Sequence, residues 1–166
     1  MKYYIIIRGP LGSGKSSISE KLSKILKAEH ISVDKILDEH KLTKDKEEGY
    51  ISQMSFLKAN EIAVKKAEKF LEKDIPVIFD GNFYWKSQIE NLVESLDYPK
   101  VIFTLKVPLK ICIDRDSKRN PPHGEDAAKV VYKKTSEFDY GVIIDASKSL
   151  DETIEQIVSH LKQRKL

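Results

Sequence analysis

The chain has 166 residues, enough for one compact domain and too few for two ordinary ones. Lys and Arg number 29 against 26 Asp and Glu, a net charge of +3, with 40% hydrophobic and 33% charged residues; this excludes a disordered chain and gives no charge excess that by itself marks a nucleic-acid binder. One cysteine, Cys112, excludes an internal disulfide and a cysteine zinc cage, and the apolar run Tyr3–Ile7 is too short to span a bilayer, so a cytoplasmic protein with no membrane partner is expected.

Lys2–Arg8 is a continuous apolar and aromatic run, the pattern of a strand buried on both faces. Ser16–Lys27 then places Ile18, Leu22, Ile25 and Leu26 on one helical face. A second apolar run, Ile31–Val33, leads to Asp34 and a short helical stretch, Lys35–Glu39. His40–Gly49 is charged and reads as an exposed connection. Tyr50–Lys73 carries a helical stripe through Met54, Leu57, Val64, Ala67 and Leu71. Ile75–Phe79 predicts a third strand and Trp85–Leu96 a helix; Val101–Leu105 predicts a fourth strand and Leu109–Ser117 a helix. Glu125–Ser136 follows the polar, proline-bearing Arg119–Gly124, and Val142–Ile144 and Asp151–Lys165 close the chain as strand and helix. Alternating strands and helices imply parallel βαβ units, hence an α/β sheet covered on both faces. No linker or internal repeat divides residues 1–166, which read as a single domain.

Gly9-Pro10-Leu11-Gly12-Ser13-Gly14-Lys15-Ser16 fits G-x-x-x-x-G-K-[ST] without mismatch, between a strand and an amphipathic helix. Glycines let backbone N–H groups curl around a phosphate, and the helix start aims its positive dipole end at the same anion. The spacing predicts a nucleoside-triphosphate site formed by Gly9 through Ser17, with Lys15 on the β- and γ-phosphates and the Ser16 hydroxyl on Mg²⁺.

Other strings narrow the class. Thr43-Lys44-Asp45-Lys46 lacks the aspartate of a guanine-recognition motif, and no Glu follows Asp80 where an ATP-hydrolysing machine would carry one. Kinases of small molecules or nucleic acids remain. They need a base, a carboxylate near Mg²⁺ and a cationic lid. Asp34, after the second strand, is placed at the ligand crevice and is the candidate base, with N-capping as its alternative role. Asp80, ending the third strand beside Gly81 and Asn82, is a candidate for water-mediated Mg²⁺ binding or for holding the substrate hydroxyl, against a plain turn role. Arg115 and Arg119, spaced i, i+4 on one helix face, suit the phosphates and border a lid segment of about residues 115–125. Phe83-Tyr84-Trp85 reads equally as an acceptor wall or as core, and Ala146-Ser147-Lys148 falls where it would flank adenine.

The order of phosphate loop, Asp34, Asp80-Gly81-Asn82 and Arg115-x-x-x-Arg119 resembles the P-loop kinase group that includes 5′-hydroxyl polynucleotide kinases, chloramphenicol phosphotransferase and zeta-toxin-type kinases. The resemblance runs from about Tyr4 to Ile144 and includes Thr43–Phe56, similar to the polynucleotide kinases' second-helix entrance. It implies a three-layer P-loop NTPase fold with five parallel strands ordered 2-3-1-4-5. It also implies Lys15 and Ser16 on phosphates and Mg²⁺, Asp34 as general base, and Arg115 and Arg119 clamping the phosphates, one of the two also stacking on adenine. Two positions depart from the polynucleotide kinase pattern: Leu37 stands where an Arg helps hold the acceptor, and Gly81 replaces a Thr.

The expected function is therefore an ATP- and Mg²⁺-dependent kinase acting on a hydroxyl acceptor: a nucleoside, a 5′-OH nucleic-acid end or a small alcohol. Two alternatives stand beside it, a non-catalytic ATP-binding interaction module and a nucleoside monophosphate kinase; the shortage of arginines (four in all) weighs against the second.

Overall fold

The computed structural model describes all 166 residues. In chain order the elements are β1 (Tyr4–Arg8), α1 (Lys15–Leu26), β2 (Glu29–Ser32), α2 (Val33–Glu39), β3 (Lys46–Glu47), β4 (Tyr50–Ile51), α3 (Gln53–Leu71) and β5 (Val77–Gly81). There follow α4 (Lys86–Ser95), β6 (Lys100–Lys106), α5 (Leu109–Ser117), α6 (Glu125–Thr135), β7 (Val142–Asp145) and α7 (Leu150–Gln163). Five strands form one parallel sheet in the order β2-β5-β1-β6-β7. Counted among the sheet strands alone, that is 2-3-1-4-5, the order the resemblance implies. No helix is long and apolar enough to cross a membrane.

Period-2 alternation along β1 divides its side chains between two cores. Tyr4 and Ile6 join Val77, Phe79, Ile36, Phe56, Ala63 and Ile89 on the face covered by α2, α3 and α4. Ile5 and Ile7 join Ile78, Phe103, Ile18, Leu22, Ile154 and Ile157 on the face covered by α1 and α7. Every residue of β1 is buried, and each isoleucine removed from water contributes about 1.5–3 kcal/mol. This explains why β1 is central, and its centrality places the phosphate loop in the middle of the sheet's carboxyl edge.

Two sequence expectations shift. The second strand is Glu29–Ser32 rather than Ile31–Val33, because Ser32 caps α2: its Oγ accepts the Lys35 N–H at 3.3 Å. Asp34 is thus in the first helical turn, where an acidic side chain is favoured, and does not itself cap. The charged connection and the start of the long helix also differ. Lys46–Ile51 is a hairpin turning at Glu48 (φ 54°) and Gly49 (φ 84°), and α3 begins at Gln53 with Ser52 as its cap. The segment expected to be helical began at Tyr50, but tertiary bonds capture its start: the Ile51 N–H donates to the Tyr84 hydroxyl at 3.0 Å, and Trp85 Nε1 donates to the Ile51 carbonyl at 2.7 Å.

Arg8 ends β1 and is fully buried. Its guanidinium donates to the Phe83 carbonyl (3.2 Å), Thr104 Oγ1 (3.3 Å), the Phe138 carbonyl (3.1 Å) and the Thr135 carbonyl (2.9 Å), and it lies 4.4 Å over the Phe138 ring. Burial pulls its pKa down to about 10, with Asp139 opposing, so it stays charged at neutral pH. It ties the central strand to the loop after β5 and to the carboxyl end of α6. Arg8→Ala is expected to cost about 3 kcal/mol or more, since each buried acceptor left unpaired costs about 1–3 kcal/mol. A urea-unfolding midpoint unchanged from wild type would refute this role.

Candidate active site

Gly12 (φ 76°) and Gly14 (φ 89°) take left-handed conformations in the loop between β1 and α1. A Cβ on Gly12 would lie 2.2 Å from the Cys112 carbonyl oxygen, so the loop rests directly on the backbone of α5. Gly14 caps α1 without a side-chain bond, and the first turn holds no acidic residue. Free helical N–H groups of this kind suit an anion. Ser13 Oγ is buried without a hydrogen-bond partner, and Lys15 is 7% exposed, its Nζ 3.4 Å from the Pro10 carbonyl.

A cleft of about 530 Å³ opens beside the loop, lined by Gly12–Ile18, Arg115, Arg119, Ala146, Lys148–Leu150 and Thr153. Arg115 donates to the Ser13 carbonyl at 3.2 Å and to the Lys148 carbonyl at 3.3 Å, bridging the phosphate loop and the loop after β7. Arg119 is exposed at the same cleft. The structure thus brings Gly12 to Ser17 together with both arginines and with Ala146 and Lys148. Gly9, Pro10 and Leu11 are buried beneath them, and Gly9 packs on Ser13, whose Oγ would stand 2.6 Å from a Cβ there.

Between the arginines and α6, the buried Asp116 carboxylate accepts three hydrogen bonds: from the Gly124 N–H at 2.9 Å, the His123 N–H at 3.2 Å and His123 Nδ1 at 3.0 Å. Burial pushes its pKa up, but the bonds from Gly124 and His123 outweigh it and hold the carboxyl below its ordinary value. A depressed folded pKa stabilises above the unfolded value of about 3.9, and that stability is lost as pH falls through the folded value. Asp116→Asn is therefore expected to melt below wild type at pH 7, with the gap closing as pH drops below about 4. A gap independent of pH would show that the charge of Asp116 contributes nothing.

Asp34, Asp80 and Asn82 meet at the carboxyl ends of β2 and β5. Asp34 Oδ1 accepts the Asn82 N–H at 3.4 Å. Asp80 is 1% exposed and its carboxylate is met by His30 Nε2. Asn82 Oδ1 is buried without a partner. Gly81 leaves room for this meeting: a Cβ there would lie 3.2 Å from the Phe83 ring and 3.4 Å from Asp34 Oδ1. Phe83 itself has a φ of 44°, a strained value for an aromatic residue, and Arg8 holds its carbonyl. Burial raises the Asp34 pKa; Lys15 opposes this and Asp80 adds to it.

A family profile described as an AAA domain matches residues 5–138. The chain belongs to the AAA domain family. Its fold is that of the small P-loop kinases. A gluconokinase from Sinorhizobium meliloti superposes with a TM-score of 0.77 at 16% identity, covering 98% of this chain and 93% of that one. A sugar kinase from a Janibacter species gives 0.78 at 15% identity, with coverage of 98% and 95%. The Mycobacterium tuberculosis APS kinase in complex with AMPPNP and APS gives 0.76 at 14% identity, with coverage of 96% and 97%. No curated protein sequence matches the chain.

Sequence reasoning missed three residues around this AAA domain's site: Arg8, His30 on Asp80, and Asp116. Arg8 carried a signal, a charged side chain ending a fully apolar strand. His30 and Asp116 carried none, because their partners lie 50 residues away and across a turn, respectively. Tyr84 and Trp85 are core residues that pin the hairpin, and Cys112 is buried.

Proposed function

We propose that this AAA domain is a phosphotransferase that moves the terminal phosphoryl group of ATP to a hydroxyl acceptor. The observation that supports it most is the pairing of Lys15 in an anion-shaped loop with Asp34, a partly buried carboxylate within its electrostatic reach at the same sheet edge. The triphosphate lies along the loop and the α1 N-terminus, with the base of ATP toward Ala146 and Lys148. The acceptor oxygen gives its proton to an Asp34 oxygen as it bonds to the γ-phosphorus; the bond to the β–γ bridging oxygen breaks, and ADP leaves. Lys15, the loop N–H groups, Arg115 and Arg119 face the charge that spreads over the transferring oxygens. The Arg119–Gly124 turn, tied at Asp116, acts as the lid. The Asn82 N–H orients Asp34, and the raised pKa of Asp34 brings the base nearer working pH.

The residues present fit Mg²⁺. The Ser16 hydroxyl stands at the uncapped helix start and would ligate it, and the buried Asp80 would reach it through water. When bound, the ion neutralises charge on the β- and γ-phosphate oxygens.

The test is incubation with γ-labelled ATP and Mg²⁺ across 5′-OH oligonucleotides, nucleosides, nucleoside monophosphates and small alcohols. Label is expected on one class and is lost in Asp34→Asn. ATP binding with no label on any hydroxyl would favour a binding module instead.

A further inference from the structure

Asp34 has two acidic neighbours, Asp38 and Asp80, and the buried cations of this region are already in use. Three cationic side chains are buried: Arg8, Lys15 and Lys134. Lys15 belongs to the phosphate loop. Arg8 gives its donors to Phe83, Thr104, Thr135 and Phe138. Lys134 stacks 3.9 Å over Trp85 and sits 3.0 Å from the Glu137 carboxylate and 3.8 Å from that of Glu48. Neither Arg8 nor Lys134 is left to meet an anion.

The surroundings of Asp34 point the same way. Asp38 lies one turn along α2, Asp80 is buried beside it, and Lys35 pairs with Glu39 at 3.8 Å. Leu37, 2% exposed, gives this stretch of α2 an apolar side chain. Asn82 Oδ1 is buried and unpartnered. Asn82 Oδ1 needs a donor, and the Asp34 carboxylate, which has one in the Asn82 N–H, can accept more. Hydroxyl groups donate; a phosphate, sulfate or carboxylate offers further acceptors and negative charge, which the site would have to desolvate without a counter-ion.

We infer that the acceptor is an uncharged, hydroxyl-rich small molecule carrying no anionic group at the end seated against Asp34. This rests on the phosphotransfer reading and narrows it.

The experiment compares matched acceptors that keep a free primary hydroxyl and differ in charge: a nucleoside and its 3′-monophosphate, and an alditol with the corresponding aldonic acid and alditol phosphate. Each is given to the intact protein with Mg²⁺ and γ-labelled ATP. The uncharged member of a pair is expected to show a kcat/KM about tenfold or more above its anionic counterpart, with the ratio shrinking as salt is raised. Equal or better use of an anionic member overturns the inference while leaving the phosphotransfer reading intact. ATP binding with no label on any member of either pair overturns the phosphotransfer reading, and the inference falls with it.

Discussion

Lys15→Ala is expected to lower phosphoryl transfer by about 10²–10³-fold, the range for removing one donor aimed at developing charge, and to weaken nucleotide binding. Lys15 is almost fully buried and makes a single long bond, to the Pro10 carbonyl, so little of the fold depends on its ammonium group. Desolvation makes that charge count for more against a phosphate than an exposed lysine would. The variant should therefore keep a wild-type urea-unfolding curve while losing turnover. Single-turnover transfer at the wild-type rate would remove Lys15 from the chemistry.

Asp34→Asn should slow transfer by about 10²–10⁴-fold, the usual worth of a general base, with ATP affinity unchanged. Two further signatures separate a base from a scaffold residue. The Asp34 pKa is raised, chiefly by burial, so wild-type activity should fall as the medium is acidified through that raised value. The residual rate of the Asn variant should lack that limb. Stability should move the opposite way. A carboxyl whose folded pKa exceeds its unfolded value binds its proton more tightly when folded, so its contribution is full at low pH and is lost as pH rises through the folded pKa. Asp34→Asn should therefore melt above wild type at neutral pH and converge with it in acid. A lower Tm at neutral pH would mean that the Asn82 N–H bond to Asp34 outweighs the cost of burying its charge.

Much of the molecule was legible in the chain. The β1 run and the glycine spacing after it fixed the central strand and the phosphate loop, because both rest on local pattern. Both arginines reach the cleft, but not from one helix face as their i, i+4 spacing suggested: α5 ends at Ser117, and Arg119 lies in the turn beyond it. The hairpin at Lys46–Ile51 was not legible: its turn is encoded by Glu48-Gly49, but pairing over two residues is too short to show a period, and Tyr84 and Trp85 hold it from a distant segment. Asp34 was placed correctly at the sheet edge, while its helical setting depended on a cap two residues earlier. Arg8 looked like the polar end of a strand, and only the fold shows it drawing Phe83 and the end of α6 together.

The missing side chain at Gly12 makes the phosphate loop and α5 one mechanical piece. The Cys112 carbonyl presses into the space a Cβ would need, and three residues further along α5 Arg115 grips the Ser13 carbonyl. There is no slack between loop and helix for a hinge. Under the proposed reading, a triphosphate that stiffens the loop stiffens α5 with it as far as Arg115. Arg119, exposed and past the end of α5, makes no such bond, so two side chains identical in chemistry differ in tether: Arg115 is clamped to the loop and Arg119 is not.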